Sequence, residues 1–365
     1  MGAPDIVFVL PAAGASGGAN SVVQESLGLA ELGVPVRIAV DESHYELFAA
    51  NYPELEAMAL SVVRYASDED LAGSLLSADI AVATTNESVF HVRNARALLH
   101  GRRPNRVQVA YYVQDYEPFF YAPGTPEWTR ANSSYTAIKN SALFAKTDWI
   151  CNMVYENHGV RVARVEPSID HRIFYPDLRL KNGGLTITAM LRPKTPRRAP
   201  RRTLRIMQSL AARLGESAKL QVFGTDQAEL EAVGLVLPPG VENLGRLRQD
   251  EVPGVSRATD LFLDLSDFQA FGRTGLESMA CGCVPVVPVL GGSAEYAVHG
   301  RNAYVVDTRS DAAILEAVED FVKMTPQSRA AMRQNALETA AQYSIRRAAL
   351  SELRFFRSLV ETESG

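Results

Sequence analysis

The chain has 365 residues, of which 47% are hydrophobic and 22% are charged, and its formal net charge is −5. This length predicts two domains at roughly 150 residues each, and the composition excludes a disordered chain. The small net charge argues against nucleic acid as a partner. The odd count of three cysteines argues against a disulfide framework and indicates reduced thiols in a cytoplasmic protein. No apolar stretch approaches the roughly 20 residues of a membrane span, so we expect at most peripheral membrane contact.

The first half of the chain alternates strand and helix patterns. A helical pattern over 22–32 is stopped by Gly33. Apolar runs predict strands at 6–10, 34–40, 79–83 and 107–113. Strands separated by helices predict a parallel sheet with right-handed crossovers, and therefore an α/β fold.

The second half repeats this alternation. Its predicted strands are 185–191, 220–223, 260–265 and 284–290, and its predicted helices are 203–214, 274–280, 311–324, 326–343 and 347–360. A proline-containing stretch without periodicity at 166–181 marks the boundary. We expect one domain over 1–167, completed by the last helix at about 345–365, and a second over 168–344.

Two loops at strand ends have the composition of anion sites. Glycines follow the first strand between Gly14 and Asn20, where a helix N-terminus offers free N–H groups, although a simple tight turn has the same composition. This loop lacks the G-x-G-x-x-G pattern, which disfavours a dinucleotide-dependent oxidoreductase. The second loop follows 185–191 and suits a pyrophosphate, while its distal arginines also fit a solvated basic loop. Its basic residues are Arg192, Lys194, Arg197, Arg198, Arg201, Arg202 and Arg205.

A polar loop after the predicted strand 260–265 is the most informative segment. It leads into a helix, with Gly272 and the helix N-terminus expected to face phosphates. Glu277 is predicted in the first turn of that helix, where its carboxylate can accept hydrogen bonds from both ribose hydroxyls. An acid that only compensates the helix dipole is the alternative.

This segment resembles the donor site of retaining glycosyltransferases of family 4, which have the GT-B fold of two Rossmann-like domains facing across a cleft. The family motif E-x7-E reads Q-x7-E here, with Gln269 and Glu277 at the two positions. The resemblance implies that Glu277 binds the ribose and that Gln269 lies near the donor sugar hydroxyls, to which it brings no charge. It also implies a nucleotide-sugar co-substrate and no separate cofactor.

The resemblance extends over most of the chain. Arg192 stands where the family has a phosphate-binding arginine, and the lysine position of that pair falls on Arg197 or Arg198. A second glycine loop, with Arg246 and Leu247, resembles the segment that contacts the base through its backbone. The implied donor contacts are Gly17, Gly18, Arg192, Arg197, Arg198, Arg246, Leu247, Gln269, Phe271, Gly272, Arg273, Thr274 and Glu277.

The segment from Tyr111 to Tyr121 resembles the Y-x-x-Q-D-Y-E-P segment of bacterial rhamnosyltransferases, which use dTDP-rhamnose to build surface polysaccharides. It implies a glycan, lipid-linked or small-molecule acceptor, with Asn20, Gln114 and Tyr116 on the acceptor side. Asp115 is the candidate for orienting the reacting sugar, and Gln269 and Arg192 complete the catalytic set. Strand-end capping by Asp115 and core packing of the aromatics are the alternatives.

The expected activity is a metal-independent hexosyl transfer, because cationic side chains and helix dipoles can stabilise the departing diphosphate. The D-x-D pattern at Asp68 and Asp70 follows Ser67 and indicates a helix N-terminus rather than a metal site. Two alternatives stay open within the same fold. One is a sugar-nucleotide epimerase, and the other is a catalytically silent protein that binds a nucleotide sugar, which Gln269 permits.

Overall fold

The computed structural model describes residues 2–11, 17–52, 55, 60–99, 107–177 and 184–361. The chain divides into two compact units. Unit 1 comprises Met1–Ser168 and Tyr343–Gly365, and unit 2 comprises Ile169–Gln342. Each unit has its own parallel sheet.

The regular elements alternate along the chain. The strands are β1 (Ile6–Leu10), β2 (Val36–Asp41), β3 (Ser61–Tyr65), β4 (Ile80–Ala83), β5 (Gln108–Val113), β6 (Ala142–Ala145), β7 (Val162–Arg164), β8 (Leu185–Met190), β9 (Ala218–Phe223), β10 (Val241–Asn243), β11 (Leu261–Leu263), β12 (Val284–Pro288) and β13 (Tyr304–Val306). The helices are α1 (Gly17–Glu31), α2 (Glu42–Asn51), α3 (Asp68–Leu75), α4 (Asn86–Leu98), α5 (Pro126–Ser134), α6 (Asp148–His158), α7 (Pro200–Leu214), α8 (Gln227–Ala232), α9 (Val252–Ala258), α10 (Arg273–Ala280), α11 (Asp311–Lys323), α12 (Pro326–Ala340) and α13 (Ile345–Glu361).

Unit 1 is built on a seven-stranded sheet with the order β3-β2-β1-β4-β5-β6-β7. The central strand β1 pairs in parallel with β2 and β4 and is buried along its whole length, which explains its uninterrupted apolar sequence. Helix α13 returns to this unit and packs against α1. Gly28 permits that approach, because a Cβ atom there would lie 2.6 Å from the Ile345 side chain.

Unit 2 is built on a six-stranded parallel sheet with the order β10-β9-β8-β11-β12-β13. The sequence order reverses beside β8, so β8 and β11 are the pair at which an open α/β sheet offers a crevice. The fold is therefore α/β with two parallel-sheet, Rossmann-like domains, as the alternation of patterns predicts. The helix start at Asp68 is also confirmed, since the Ser67 side chain accepts a hydrogen bond from the Asp70 backbone N–H at 3.1 Å.

A buried ion cluster fixes α13 to the rest of unit 1. Lys146, just after β6, contacts Glu25 of α1 and Glu352 of α13, with both N–O distances at 2.7 Å. All three side chains are buried. One carboxylate oxygen of each glutamate is sealed from solvent without a hydrogen-bond partner in the described residues. Burial and then the charge of Glu25 raise the pKa of Glu352 to about 8, against the opposing effect of Lys146.

This cluster predicts how unit 1 responds to mutation and pH. Lys146→Met leaves two buried carboxyl groups without their cation, so we expect a loss of about 3–5 kcal/mol in the free energy of unfolding. The exposed Lys139→Met is the matched control and should change it by less than about 0.5 kcal/mol. Chemical denaturation at pH 7 measures both.

The pH dependence follows from the raised pKa of Glu352. A carboxyl that holds its proton more tightly in the folded state stabilises the fold at low pH, and this contribution is lost as the pH rises from 4.5 through about 8. Glu352→Gln mimics the protonated side chain and should flatten that decline. A decline of unchanged slope in denaturation series between pH 5 and 9 would contradict the assignment.

Candidate functional site

The candidate site of unit 2 lies where β8, β11 and β12 end. These strands are adjacent and parallel, so the loops that follow them leave from one edge of the sheet. Arg192 follows β8, the segment 264–272 follows β11, and Gly291 to Ser293 follow β12. The sequence prediction had singled out all three loops.

Arg192 stands at the carboxyl end of β8 with an exposed side chain. The surrounding protein and then the positive charge of Arg246 lower its pKa, while Glu229 opposes them. Gly224, after β9, borders it with a φ of +106°, and a Cβ there would lie 3.0 Å from the Leu191 carbonyl oxygen and 3.5 Å from Nε of Arg192. The glycine therefore permits close packing beside this guanidinium.

Two further cations converge on Glu229, at the start of α8. Lys194 lies 3.2 Å from its carboxylate, and Arg246 contacts the same carboxylate and lies 3.5 Å from Asp226. Arg246 is thus held by side-chain ion pairs. Leu247, the next residue, packs against a small buried cluster.

The other arginines of the basic run have different environments. The Arg197 guanidinium lies 5.6 Å from the centre of the Phe268 ring, and Arg198 donates to the Ser266 hydroxyl at 3.4 Å. Arg202 also lies against this loop, where it pairs with Asp267 and donates to the Leu265 carbonyl oxygen at 3.0 Å, whereas Arg205 pairs with Asp311 at the surface of unit 2. The run therefore separates into arginines beside the 264–272 loop and Arg205, which forms a surface ion pair.

Gln269 lies in a buried polar cluster at the end of β11. Its Nε2 donates to Asp264 Oδ2 at 2.6 Å and to Ser266 Oγ at 3.1 Å. The Ser266 hydroxyl in turn donates to Asp264 Oδ1 at 2.6 Å. Asp264 is buried, and sequence reasoning missed it, although an aspartate directly after an apolar strand was a signal for a site residue.

Glycines shape the backbone of this edge. Gly291 has a φ of +111°, and a Cβ there would lie 2.0 Å from the Gln269 carbonyl oxygen, with which Gly292 N–H forms a 2.7 Å hydrogen bond. Gly272, in the left-handed conformation, precedes α10 and accepts a hydrogen bond from Tyr296. Phe271 meets the Tyr296 ring edge-on. Beside this turn the Ser293 hydroxyl is buried and, within the described residues, unpartnered.

Helix α10 begins at Arg273, with Thr274 second, so Glu277 is its fifth residue and the prediction of a first-turn position is wrong. The helix starts one residue early because Gly272 takes the left-handed turn. Arg273 Nε donates to Glu277 Oε1 at 3.0 Å, and both side chains are largely buried. Burial raises the pKa of Glu277, and the charge and hydrogen bond of Arg273 oppose that rise.

In unit 1, helix α1 begins at Gly17, so Gly17 and Gly18 lie in its first turn and not in the preceding loop as predicted. Gly14 lies outside the described residues. A Cβ on Gly18 would lie 3.0 Å from Oε1 of Gln114. Gln114 also donates to the Thr84 carbonyl oxygen at 2.9 Å, which places its amide between the ends of α1 and β4. Asn20 accepts a hydrogen bond from the Tyr52 hydroxyl.

The predicted acceptor-side aromatic Tyr116 is buried in the core of unit 1. It stacks on Tyr135 at 5.7 Å and bonds His158 at 3.1 Å. Asp115 is buried and accepts a hydrogen bond from the Tyr116 N–H at 2.9 Å, a local strand-end contact. Both side chains are therefore largely shielded from solvent.

Glu117 is a buried acid that sequence reasoning did not single out. It accepts hydrogen bonds from the Asn86 backbone N–H at the start of α4 and from the Tyr111 hydroxyl at 3.2 Å. Burial raises its pKa to about 7 against these hydrogen bonds. The glutamate of the Q-D-Y-E-P segment therefore serves as a helix cap.

The remaining features concern metal-ligating groups, cysteines and membrane-spanning helices. In those ranges no three His, Cys, Asp or Glu side chains are grouped as a metal site requires. None of the three cysteines forms a disulfide, and Cys281 and Cys283 are buried. No described helix is both long and apolar enough to cross a membrane.

The fold and this sheet edge define a two-domain α/β protein with a polar, glycine-shaped site in its second domain. Residues 180–339 match the family model of glycosyl transferases group 1. This match covers most of unit 2, and the fold is that of GT-B glycosyltransferases.

Three named proteins are similar to this chain in sequence or in fold. O-antigen biosynthesis protein RfbC of Myxococcus xanthus is 28% identical over 287 residues, covering 78% of this chain and 21% of RfbC. HepE of Anabaena, solved with UDP and glucose, has a TM-score of 0.75 and 16% identity over 99% of this chain and 100% of that chain. WaaG, a glycosyltransferase of lipopolysaccharide biosynthesis, has a TM-score of 0.70 and 15% identity over 96% and 99%. The chain spans only about a fifth of the length of RfbC.

The contact between Gly291 and Gln269 predicts the effect of one methyl group. Gly291→Ala places a Cβ inside contact distance of the Gln269 backbone, so we expect a loss of at least about 3 kcal/mol in the free energy of unfolding. Gly300→Ala is the matched control, because Gly300 also has a positive φ of +73° but nothing lies within 4 Å of its added Cβ. It should lose only about 1–2 kcal/mol. Equal losses in denaturant titrations would contradict the steric argument.

Proposed function

We propose that this chain transfers a sugar from a nucleotide-sugar donor, and that unit 2 binds the donor. The observation that carries this proposal is the position of Arg192 at the carboxyl end of β8, within the segment that matches glycosyl transferases group 1. Desolvation by the surrounding protein and then the like charge of Arg246 lower the pKa of this exposed guanidinium, and a diphosphate would supply the opposite charge.

The donor would be recognised by the loops of the sheet edge in unit 2. Arg192, with Arg197 or Arg198, binds the diphosphate, and the turn at Gly272 supplies N–H groups at the start of α10. Glu277 exchanges its bond with Arg273 for the ribose hydroxyls. The Arg246–Leu247 segment contacts the base through its backbone. Positive charge then stabilises the departing nucleotide diphosphate, so the proposed reaction requires no metal ion.

The finer proposal concerns the sugar and the acceptor. The resemblance of the Tyr111–Tyr121 segment to rhamnosyltransferases favours dTDP-rhamnose as the donor, with retention at the anomeric carbon. A surface glycan as the acceptor is consistent with the name of RfbC and with the stated role of WaaG. In this proposal Asp115 orients the reacting sugar in unit 1, with Asn20, Gln114 and Tyr116 on the acceptor side.

A donor panel tests the proposal. Binding and slow donor hydrolysis are measured with dTDP-rhamnose, UDP-glucose, GDP-mannose and NAD(H), all in the presence of a chelator. We expect selective binding of dTDP-rhamnose and release of dTDP. Selectivity for UDP or GDP sugars would keep the reaction class and remove rhamnose. Binding without turnover in the presence of glycan acceptors would favour a silent binding protein, and binding of NAD(H) alone would overturn the proposal.

The arginines of the basic run provide a matched pair of variants. Arg192→Ala removes a charge-assisted contact to the donor diphosphate, worth about 1.5–3 kcal/mol, so donor affinity should fall about 10- to 150-fold. Arg205→Ala removes the same charge from a residue that pairs with Asp311 at the surface, and affinity should stay within about twofold. Isothermal titration with the preferred donor measures both, and equal losses would show that only overall charge matters.

A further inference from the structure

The glutamine of the Q-x7-E motif is held by a closed ring of hydrogen bonds. Gln269 donates both N–H groups of Nε2, to Asp264 and to Ser266, and Ser266 donates its hydroxyl to Asp264. A third bond to the same carboxylate comes from the Ser266 backbone N–H at 3.2 Å. Asp264 and Gln269 are both buried, with 3% and 4% of their surfaces exposed.

This ring determines which end of the Gln269 amide is available. A carboxylate only accepts hydrogen bonds, so the amide nitrogen has to face Asp264, and rotation of the amide by 180° would bring two acceptors together. With both N–H groups committed, Oε1 is the polar atom of this side chain that remains for a ligand. Gln269 therefore presents an acceptor, as the glutamate of the family motif would.

The ring also explains why this position holds glutamine. A glutamate in place of Gln269 would bring a second carboxylate about 2.6 Å from Asp264 in a buried site. Arg198, 4.0 Å from Asp264, offers one positive charge for two carboxylates, so both are not expected to stay ionised. The amide replaces this repulsion with a hydrogen bond. Asp264 carries the negative charge instead, and Gln269 lies between it and the proposed ligand.

We propose that Asp264 is a positioning residue of the donor site, which fixes the Gln269 amide so that Oε1 faces the donor sugar hydroxyls. This inference rests on the proposed transfer reaction. The backbone of Gln269 also contacts the backbone of Gly291, so the position of Gln269 is coupled to the loop after β12. The departure from E-x7-E is thereby a matched pair of residues and not a loss of function.

An exchange of the two side chains tests the inference. Asp264→Asn frees the amide orientation, and Gln269→Glu creates the carboxylate pair, so each should lower kcat/KM at pH 8 at least about tenfold. The double variant Asp264→Asn/Gln269→Glu restores one donor–acceptor pair and one charge, and should return to within about fivefold of wild type. Gln269→Glu alone should also recover activity as the pH falls toward 6, because one carboxyl then takes up a proton.

The controls separate this inference from the reaction on which it rests. Asp320→Asn removes an exposed carboxylate on α11 and should leave kcat/KM unchanged. The melting temperature gives a readout that does not depend on turnover. The difference in melting temperature between wild type and Gln269→Glu should be larger at pH 8 than at pH 5.5. The double variant should not show this pH dependence. Activity of wild type with no recovery in the double variant would overturn the positioning role. A wild type without transfer would overturn the proposed function alone, provided that the melting series still shows the coupling.

Discussion

The buried carboxylate of Asp264 constrains the whole sheet edge of unit 2. Burying an ionised carboxylate is unfavourable unless hydrogen-bond donors surround it, and here the donors come from the loop that leaves β11. That loop must therefore fold back over the strand end, which brings Gln269 against the backbone of Gly291. Positions 272 and 291 therefore require glycine, because the backbone there has a positive φ and packs too closely against its neighbours to leave room for a Cβ atom.

Unit 1 meets the same problem of buried acids with different partners. Glu25 and Glu352 share one lysine, so the raised pKa of Glu352 lets a proton supply the missing charge. Glu117 is satisfied by the N-terminus of α4, whose unpaired N–H groups favour an acid. Both clusters join elements far apart in sequence, and they stabilise particular contacts of α13 and α4 rather than a general core.

The sequence predicts the elements that have strong local signals. Strand β1 and the strand–loop–helix segment that ends in α10 were recognisable because their burial and turn residues are local. Strands β3, β6, β7, β10 and β13 were not, since most of them have only three or four residues and carry too little periodicity to detect, whereas the three residues of β11 lie in a longer apolar run. Ion pairs such as Arg205 with Asp311, which lie 106 residues apart, depend on packing that no local pattern encodes. The position of Glu277 in the helix was misjudged by one residue, because a left-handed Gly272 leaves the helix start ambiguous.

Charge balance around Arg192 gives the clearest reason to expect an anionic ligand. Lys194 and Arg246 share Glu229, with Asp226 as a more distant second acid, so the acids near this strand end are already engaged by two cations. Arg192 adds a third positive charge, and desolvation by the surrounding protein followed by the charge of Arg246 lowers its pKa. A doubly charged diphosphate would attract both Arg192 and Arg246, and this attraction would outweigh the repulsion between the two arginines. In the proposed function, binding of a nucleotide diphosphate group would relieve the repulsion between Arg192 and Arg246.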